Sequence, residues 1–198
     1  MGIKPNQRVA QTKNLVHRAM IGLLKKQEIH KISIRELCQI ADINRTTFYN
    51  HYGSQYDVLA EIRDWYLRDI AEAIESTDLQ NPENLLFRVS LVLGYMEQNL
   101  EISRLLIQNN IDESFAQRLF SLPKIEDMLA ETLAGTVSIE EYRDVVSFAI
   151  SGSYKLVQDW IAEDKRRTPV EMAELILRLA NAVCCCKHPQ GYSCGLQR

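Results

Sequence analysis

The chain has 198 residues, of which 46% are hydrophobic and 25% are charged, a composition typical of globular proteins that do not enter a membrane. The length is sufficient to bury a sizeable core in one or two domains, and no apolar run approaches the roughly eighteen residues that span a bilayer. The N-terminal residues lack the apolar stretch of a secretory signal, and an odd number of five cysteines does not resemble a disulfide framework. We therefore expect a protein of the reducing cytoplasm, with no cofactor and no membrane partner.

Positive charge is concentrated at the N-terminal end of the chain. The formal net charge of the whole protein is −3, but residues 1–52 contain nine Lys and Arg against three Asp and Glu, a net charge of +6. The rest of the chain therefore has a net charge of −9. A basic segment attached to an acidic body predicts a polyanionic partner for that segment alone, with a solvated charged face as the alternative interpretation.

An amphipathic helix is predicted over residues 9–28, because apolar side chains recur there at three- and four-residue spacing. This helix should pack across two shorter helices that follow it and complete a three-helix N-terminal head. Lys4, Arg8 and Lys13 lie near its start, where they could contact nucleic-acid phosphates.

Two short helices with well-marked beginnings come next. Ser33 and Glu36 have the spacing of a capping box at the start of the first one. After a turn at residues 42–43, Asn44 is placed to cap the second helix, which we predict over about 45–52. Two short helices joined by a short turn predict a helix-turn-helix unit.

The second short helix contains few aliphatic residues and many hydrogen-bonding groups. Phe48 and Tyr52 lie four positions apart and can anchor it to the core, so that Arg45, Thr46 and Asn50 face elsewhere. A polar and cationic outer face of this kind suits the major groove of DNA. A surface helix with ordinary polar residues is the alternative interpretation, and periodicity alone does not separate the two.

The sequences ADIN at residues 41–44 and TFYNHYGSQYDVL at residues 47–59 resemble the DNA-binding domain of TetR-family transcriptional regulators. The likeness covers roughly residues 8–60, and the Tyr-x-His-aromatic pattern at its centre is fairly specific to that family. Two positions depart from the family pattern. Asp42 stands where the family usually has Gly in the turn, although Asp tolerates the left-handed conformation better than most residues. Gln55 stands where the family usually has a Lys that contacts phosphate.

The pattern and the resemblance together predict which side chains contact double-stranded DNA. Arg45, Thr46 and Asn50 are the candidates for base edges, because Arg suits guanine and Asn suits adenine. The remaining DNA-binding candidates position the protein on the backbone, and they are Lys4, Arg8, Ser33, Thr47, Tyr49, His51 and Gln55.

A long helix is predicted from about residue 55 to 75, and Ser54 and Asp57 have capping spacing at its start. In proteins of the TetR type this helix links the DNA-binding head to the body. The polar stretch at 76–84, with Pro82, marks the predicted domain boundary. We thus expect an all-α fold, with a helix-turn-helix domain at 1–55, a linking helix at 55–75, a helical ligand-binding and dimerisation domain at 76–187, and a flexible tail at 188–198.

The predicted body begins with several helices of moderate length, at about residues 85–99, 102–109, 113–121 and 124–134. Helices broken into short pieces around aromatic residues can enclose a cavity for a small-molecule effector. Simple core packing is the alternative interpretation of each aromatic residue. The candidate wall residues are Tyr95, Phe115, Phe120, Met128 and Phe148.

Two long amphipathic helices close the chain. The first is predicted from Ser138 to about Asp164, and Thr168, Pro169 and Glu171 specify the start of the last, which reaches about residue 186. We expect an antiparallel pair that joins the same pair of a second subunit in a four-helix bundle, as the resemblance to the TetR-family dimer region also implies. The candidate interface residues are Phe148, Gly152, Leu156, Trp160, Leu175, Ile176, Leu179 and Val183.

These features predict a homodimeric TetR-like repressor that binds a palindromic operator and is modulated by an unknown small molecule. A TetR-like coactivator that acts through a second regulator is the alternative, which the Gln55 departure favours. An enzyme is not indicated, because the sequence contains no G-x-S-x-G, H-E-x-x-H, P-loop or dinucleotide-binding motif. No metal site is expected, because the cysteines at 184–186 lack paired C-x-x-C spacing.

Overall fold

The computed structural model describes residues 5–75, 85–108, 115, 118–119, 142–164 and 166–184, without the side chains of residues 5, 6, 108, 183 and 184. All regular structure within these ranges is helical, which confirms the predicted all-α fold class. None of the helices in the described ranges is both long enough and apolar enough to cross a membrane. Lys4, Phe120, Met128 and the predicted tail at 188–198 lie outside the described residues.

The N-terminal part contains α1 (Pro5–Leu24), a 3-10 turn (Ile29–Lys31), α2 (Ile34–Ile40), α3 (Arg45–Tyr49) and α4 (Gln55–Glu75). The first helix was predicted over residues 9–28, four residues too far toward the C-terminus. The helix begins at Pro5, which a first turn accepts because its missing N–H has no partner there. It ends where the backbone N–H groups of Lys26 and Gln27 both bond to the Leu23 carbonyl. The helix predicted at about 55–75 is confirmed by α4, while its role as a link between domains stays a prediction.

The predicted second short helix was too long, because α3 ends at Tyr49 rather than at residue 52. A hydrogen-bonded turn nevertheless continues beyond Tyr49. The backbone N–H groups of His51 and Tyr52 both bond to the Phe48 carbonyl, at 2.9 and 3.0 Å. Residues 45–52 therefore form one continuous structure, which we call the recognition segment.

The C-terminal part contains α5 (Leu85–Gln98), α6 (Leu100–Gln108), α7 (Tyr142–Ala162) and α8 (Pro169–Cys184). These bounds agree with the predicted helices within a few residues. The helix predicted at 124–134 and the proposed cap at Ser138 lie outside the described residues, as does most of the segment predicted at 113–121.

The chain divides into two compact units, one of residues 1–72 with 101–112 and the other of residues 73–100 with 113–198. This division groups α6 from Glu101 onward with the N-terminal helices, whereas the sequence predicted a boundary at 76–84. The Tyr66 hydroxyl on α4 lies 2.5 Å from the Ser103 hydroxyl on α6, and neither side chain is exposed. Lys25, just after α1, forms an ion pair with Glu101. The functional division of the chain into domains stays a prediction.

The core of the first unit is formed by apolar faces of the four N-terminal helices. Val16 and Met20 on α1, Leu37 on α2, Phe48 on α3 and Val58 on α4 are fully buried. α1 packs against α2, and α2 packs against α3. The periodicity of α1 predicted its buried positions correctly except at Leu15, which it also placed on the apolar face but which is 45% exposed.

In the second unit, α8 packs against both α5 and α7, which confirms the predicted pairing of the last two helices. The start of α8 is a complete capping box. Thr168 N–H donates to Glu171 Oε2 at 2.8 Å, and Glu171 N–H donates to Thr168 Oγ1 at 3.3 Å. Pro169 occupies the first helical position, as predicted.

Candidate nucleic-acid interface

The start of α2 is fixed by the predicted cap. Ser33 Oγ accepts a hydrogen bond from the Glu36 backbone N–H at 3.1 Å, which satisfies one free donor of the first turn. The Glu36 carboxylate accepts a hydrogen bond from Gln27 Nε2 at 3.0 Å. A side-chain hydrogen bond therefore joins the segment before α2 to the first turn of α2.

The turn between α2 and α3 is a Schellman motif with an aspartate at its left-handed position. Ile43 N–H bonds to the Cys38 carbonyl at 3.0 Å and Asp42 N–H bonds to the Gln39 carbonyl at 3.4 Å, the two hydrogen bonds of that motif. Asp42 has a φ of 53°, the only positive φ among non-glycine residues in the described part of the chain. The turn thus keeps the conformation that glycine usually supplies.

The start of α3 is capped by Asn44, as predicted. Asn44 Oδ1 accepts a hydrogen bond from Thr47 N–H at 2.7 Å. Since the cap and the Schellman turn lie next to each other, the direction in which α3 leaves α2 is fixed by the backbone hydrogen bonds of the turn and by the side-chain cap of Asn44.

The recognition segment has one buried and one exposed face. Phe48 is fully buried and Tyr52 is 5% exposed, and their ring centroids lie 5.5 Å apart. Arg45, Thr46 and Asn50 are exposed. The division between anchoring and outward side chains that the sequence predicted is therefore found in the structure, while contact of the outward residues with DNA stays a prediction.

The other DNA-binding candidates occupy helix starts and the edge of the recognition segment. Arg8, Ser33 and Tyr49 are exposed, and the last of these is 56% accessible. Thr47, His51 and Gln55 are half-buried. Sequence reasoning missed Arg35, an exposed cation in the first turn of α2, two residues after the Ser33 cap. Its place beside a cap that precedes the recognition segment is the signal that could have identified it.

The start of α4 is stabilised by the carboxylate of Asp57. Asp57 Oδ2 accepts hydrogen bonds from the backbone N–H groups of Gly53 and Ser54, at 2.8 and 3.0 Å. The predicted capping relation between Ser54 and Asp57 is confirmed through its carboxylate half. These bonds fix the chain between the recognition segment and α4.

A polar cluster lies where α1, the end of the recognition segment and α4 meet. Glu61 on α4 accepts hydrogen bonds from Lys13 Nζ at 2.5 Å, from His17 Nε2 at 3.1 Å and from the Tyr52 hydroxyl. The Tyr52 hydroxyl also lies 3.3 Å from His17 Nε2, and Lys13 Nζ lies 5.8 Å from the centroid of the Tyr52 ring. We call these four residues the Glu61 cluster.

The Glu61 cluster shifts the ionisation of its members. Burial raises the pKa of the Glu61 carboxyl, but the hydrogen bonds from Lys13, Tyr52 and His17 outweigh this effect and lower the pKa from 4.5 to about 2. Burial lowers the pKa of His17, against the opposing effect of Glu61. Burial and the neighbouring carboxylate both raise the pKa of Tyr52. Glu61 is therefore a carboxylate and Tyr52 a neutral donor at ordinary pH.

The candidates for an effector cavity are only partly described. Tyr95 on α5 is half-buried and Phe115 is fully buried. Phe148 on α7 is 64% exposed, so it does not line an enclosed cavity within the chain, and its exposure fits the interface role that was also assigned to it. The described part of the chain contains no group of three His, Cys, Asp or Glu side chains arranged as metal ligands.

The dimer candidates differ in their exposure. Phe148, Gly152 and Leu179 are exposed, and Leu156, Leu175 and Ile176 are half-buried. Trp160 was assigned to the interface, but it is 2% exposed and its indole N–H donates to the Arg167 carbonyl at 2.7 Å. It is a core residue of the second unit. The side chain of Val183 lies outside the described residues.

Comparison with known proteins agrees with this architecture. A TetR-type family model described as a transcriptional regulator C-terminal region matches residues 83–182, just over half of the chain. A curated relative, the HTH-type dhaKLM operon transcriptional activator DhaS of Lactococcus lactis subsp. lactis (strain IL1403), is 32% identical over 89 residues. That match covers 44% of this chain and 44% of the relative, so the chain spans under half of the length of this protein.

Two solved structures share the fold. A TetR transcriptional regulator from Streptococcus agalactiae 2603V superposes with a TM-score of 0.70 and 21% identity, covering 88% of this chain and 96% of that one. The dihydroxyacetone kinase operon activator DhaS superposes with a TM-score of 0.56 and 19% identity, covering 86% and 94%. These two structures show that the fold is shared, and the family model over residues 83–182 shows the family that the sequence resemblance predicted. The chain belongs to the TetR family of transcriptional regulators.

Proposed function

We propose that this protein is a cytoplasmic regulator that binds a palindromic operator as a homodimer and represses transcription until a small-molecule effector releases it. The observation that carries the proposal is the two-faced recognition segment. Phe48 is fully buried and anchors the segment, while Arg45, Thr46 and Asn50 are exposed on a helix whose start is fixed by Asn44. A short, rigidly anchored helix with such an outer face fits the major groove.

The outward side chains have the chemistry for direct readout of bases. Arg45 offers a planar set of donors that matches the two acceptors of guanine, and Asn50 offers a donor and an acceptor that match adenine. Ser33, Thr47 and Tyr49 carry hydroxyl groups that suit phosphate oxygens, which fix the register without specifying sequence. Gln55, a neutral residue, contributes a weaker phosphate contact than a lysine would.

The C-terminal helices support dimer formation. Phe148 is 64% exposed and Leu179 is 44% exposed, large apolar side chains that a monomer would leave in water. A Cβ atom added to Gly152 would meet no described atom within 4 Å other than those of its chain neighbours and of the adjacent α7 backbone, so the space beside this glycine is open. A second subunit packed on α7 and α8 would use that space. Two heads related by a twofold axis would then read half-sites about 34–36 Å apart, or a longer multiple.

The base-reading roles can be tested by DNA selection with the purified protein, followed by affinity measurements on a panel of single-base operator variants. We expect Arg45→Ala to weaken the best operator by about 1–3 kcal/mol and to relax preference at one base pair. Tyr49→Phe should weaken all sequences alike. Arg68→Ala, which removes an exposed cation from α4, is the matched control and should retain the sequence preference. The reverse pattern for Arg45 and Tyr49 would contradict the assigned roles.

The dimer can be tested with Phe148→Asp, which places a charge on the proposed interface. We expect sedimentation or light scattering to show a monomer, with operator affinity reduced by at least about 10²-fold because only one half-site is held at a time. Tyr142→Asp changes another exposed aromatic residue on α7 and should leave the dimer intact. A Phe148→Asp protein that remains dimeric would exclude this interface.

Activation is the second candidate, because the curated relative with 32% identity is named a transcriptional activator. A reporter driven by the selected operator separates the two. Repression predicts higher expression when the gene is deleted, and activation predicts lower expression. A mobility shift with the purified protein alone tests the coactivator alternative, which predicts binding only after a second regulator is added.

A further inference from the structure

The Glu61 cluster connects the recognition segment to two other helices through a single carboxylate. Lys13 and His17 belong to α1, Tyr52 ends the recognition segment, and Glu61 lies in α4. Oε2 of Glu61 accepts from both Tyr52 and His17, and Oε1 accepts from Lys13 at 2.5 Å. Hydrogen bonds to an ionised acceptor are shorter and stronger than neutral ones, so this carboxylate fixes its three donors firmly.

Tyr52 connects Glu61 to the rest of the recognition segment through its contacts with Phe48. Its ring centroid lies 5.5 Å from that of Phe48, the buried anchor of α3, and its backbone N–H bonds to the Phe48 carbonyl at 3.0 Å. Its hydroxyl points at the carboxylate on α4. A rotation of α3 relative to α4 would therefore have to break the bond between Tyr52 and Glu61 or move the Phe48 ring in a packed core.

We propose that Glu61 is a positioning residue for operator binding, whose carboxylate holds Tyr52, and with it the recognition segment, in the orientation that places Arg45 and Asn50 on base edges. This inference rests on the DNA-binding function proposed above. Tyr52 is 5% exposed and so does not reach DNA itself. Any effect of its hydroxyl on DNA affinity must be transmitted through the orientation of the segment.

Whether removal of Glu61 raises or lowers DNA affinity distinguishes a positioning role from a purely electrostatic one. Glu61 is an anion beside a basic head, and it neutralises Lys13. If only charge mattered, Glu61→Ala would free Lys13 for phosphate, raise the affinity for every duplex and steepen the salt dependence. Loss of positioning predicts the opposite for the operator, because base contacts need the correct orientation whereas attraction to phosphates does not.

The test uses the full chain and two fluorescent duplexes of equal length, the selected operator and a scrambled sequence, at one fixed salt concentration. We expect Tyr52→Phe and Glu61→Ala each to lower operator affinity about tenfold and to change affinity for the scrambled duplex less than about twofold. Because the two changes break the same bond, the double variant should lose much less than the product of the single losses. Tyr142→Phe and Glu72→Ala are matched controls at exposed positions and should bind like the unmodified chain.

Circular dichroism at the assay temperature verifies that each variant is folded, and Tyr52→Phe decides the matter if Glu61→Ala is unstable, because it keeps the ring. Unchanged or increased operator affinity in Tyr52→Phe would overturn the inference, as would an equal loss on both duplexes. If the unmodified chain fails to distinguish the operator from the scrambled duplex, the proposed function itself fails and the inference falls with it. If the unmodified chain distinguishes them and Tyr52→Phe does so equally well, only the inference fails.

Discussion

The aspartate in the turn before the recognition segment gives a direct test of how this helix-turn-helix is built. Asp42 has a φ of 53° and occupies the position after the α2 C-cap, where its N–H and that of Ile43 complete a Schellman motif. The side chain is exposed, so a substitution there changes backbone preference with little change in packing. The series Asp42→Asn, Asp42→Gly and Asp42→Ala isolates that preference.

The expected magnitudes follow from the cost of the left-handed conformation. An ordinary L-residue is disfavoured there by roughly 1–2 kcal/mol, whereas Asn and Asp are tolerated because their short polar side chains bond locally. We expect Asp42→Ala to lower the free energy of unfolding by about 1 kcal/mol, and Asp42→Asn to stay within about 0.5 kcal/mol of the unmodified chain. Asp42→Gly removes the strain of the folded state, but the greater entropy of glycine stabilises the unfolded chain by roughly 0.4–1 kcal/mol. The two effects oppose each other, so the free energy of unfolding should change little.

Urea denaturation of each variant at one protein concentration, followed by circular dichroism, measures these differences through the midpoint at constant m. A loss of 1 kcal/mol corresponds to a melting temperature lower by roughly 2–4 °C in a chain of this size. Asp42→Asn controls for the loss of charge. If Asp42→Ala proves as stable as Asp42→Asn, the left-handed turn does not limit the stability of the head and the reasoning is refuted.

Two further predictions concern other stabilising side chains. Thr168→Ala removes the side-chain half of the capping box at α8 and should destabilise the chain by about 1 kcal/mol in the same urea assay, whereas Thr168→Ser should stay close to the unmodified chain. In acid, Glu61 should contribute stability that is complete above its unfolded pKa of 4.5 and lost as the pH falls toward its folded pKa of about 2. With 33% of the side chain exposed, solvent screening limits this contribution to about 1–2 kcal/mol. The unmodified chain should therefore lose that much more stability than Glu61→Gln between pH 4.5 and 2, and parallel pH profiles of the two proteins would contradict the assignment.

Local signals in the sequence predicted much of the head. The caps at Ser33, Asn44 and Thr168 depend on residues three positions apart, and all three are present. The face of the recognition segment that is buried also followed from a four-residue spacing. Such predictions succeed because the interacting groups lie within one turn of helix.

Contacts between distant segments were not predictable in the same way. The carboxylate of Glu61 looks like an ordinary solvated charge on an amphipathic helix, and nothing in the spacing connects it with Lys13, 48 residues earlier. Trp160 was assigned to the dimer interface from its apolar helix face and from the resemblance to the TetR-family dimer region. An apolar residue on such a face can pack equally well inside its own chain, and Trp160 does so. Periodicity identifies a face that leaves water, and it does not identify what covers that face.

The grouping of α6 with the N-terminal helices affects how DNA-binding heads could be exchanged between regulators. A graft that ends at Glu75, the last residue of α4, would transfer Tyr66 but leave behind Ser103, which bonds to its hydroxyl, and Glu101, which pairs with Lys25. The recipient protein would have to supply an equivalent buried surface for α4. A chimera should therefore take residues 101–112 from the same protein that supplies α4.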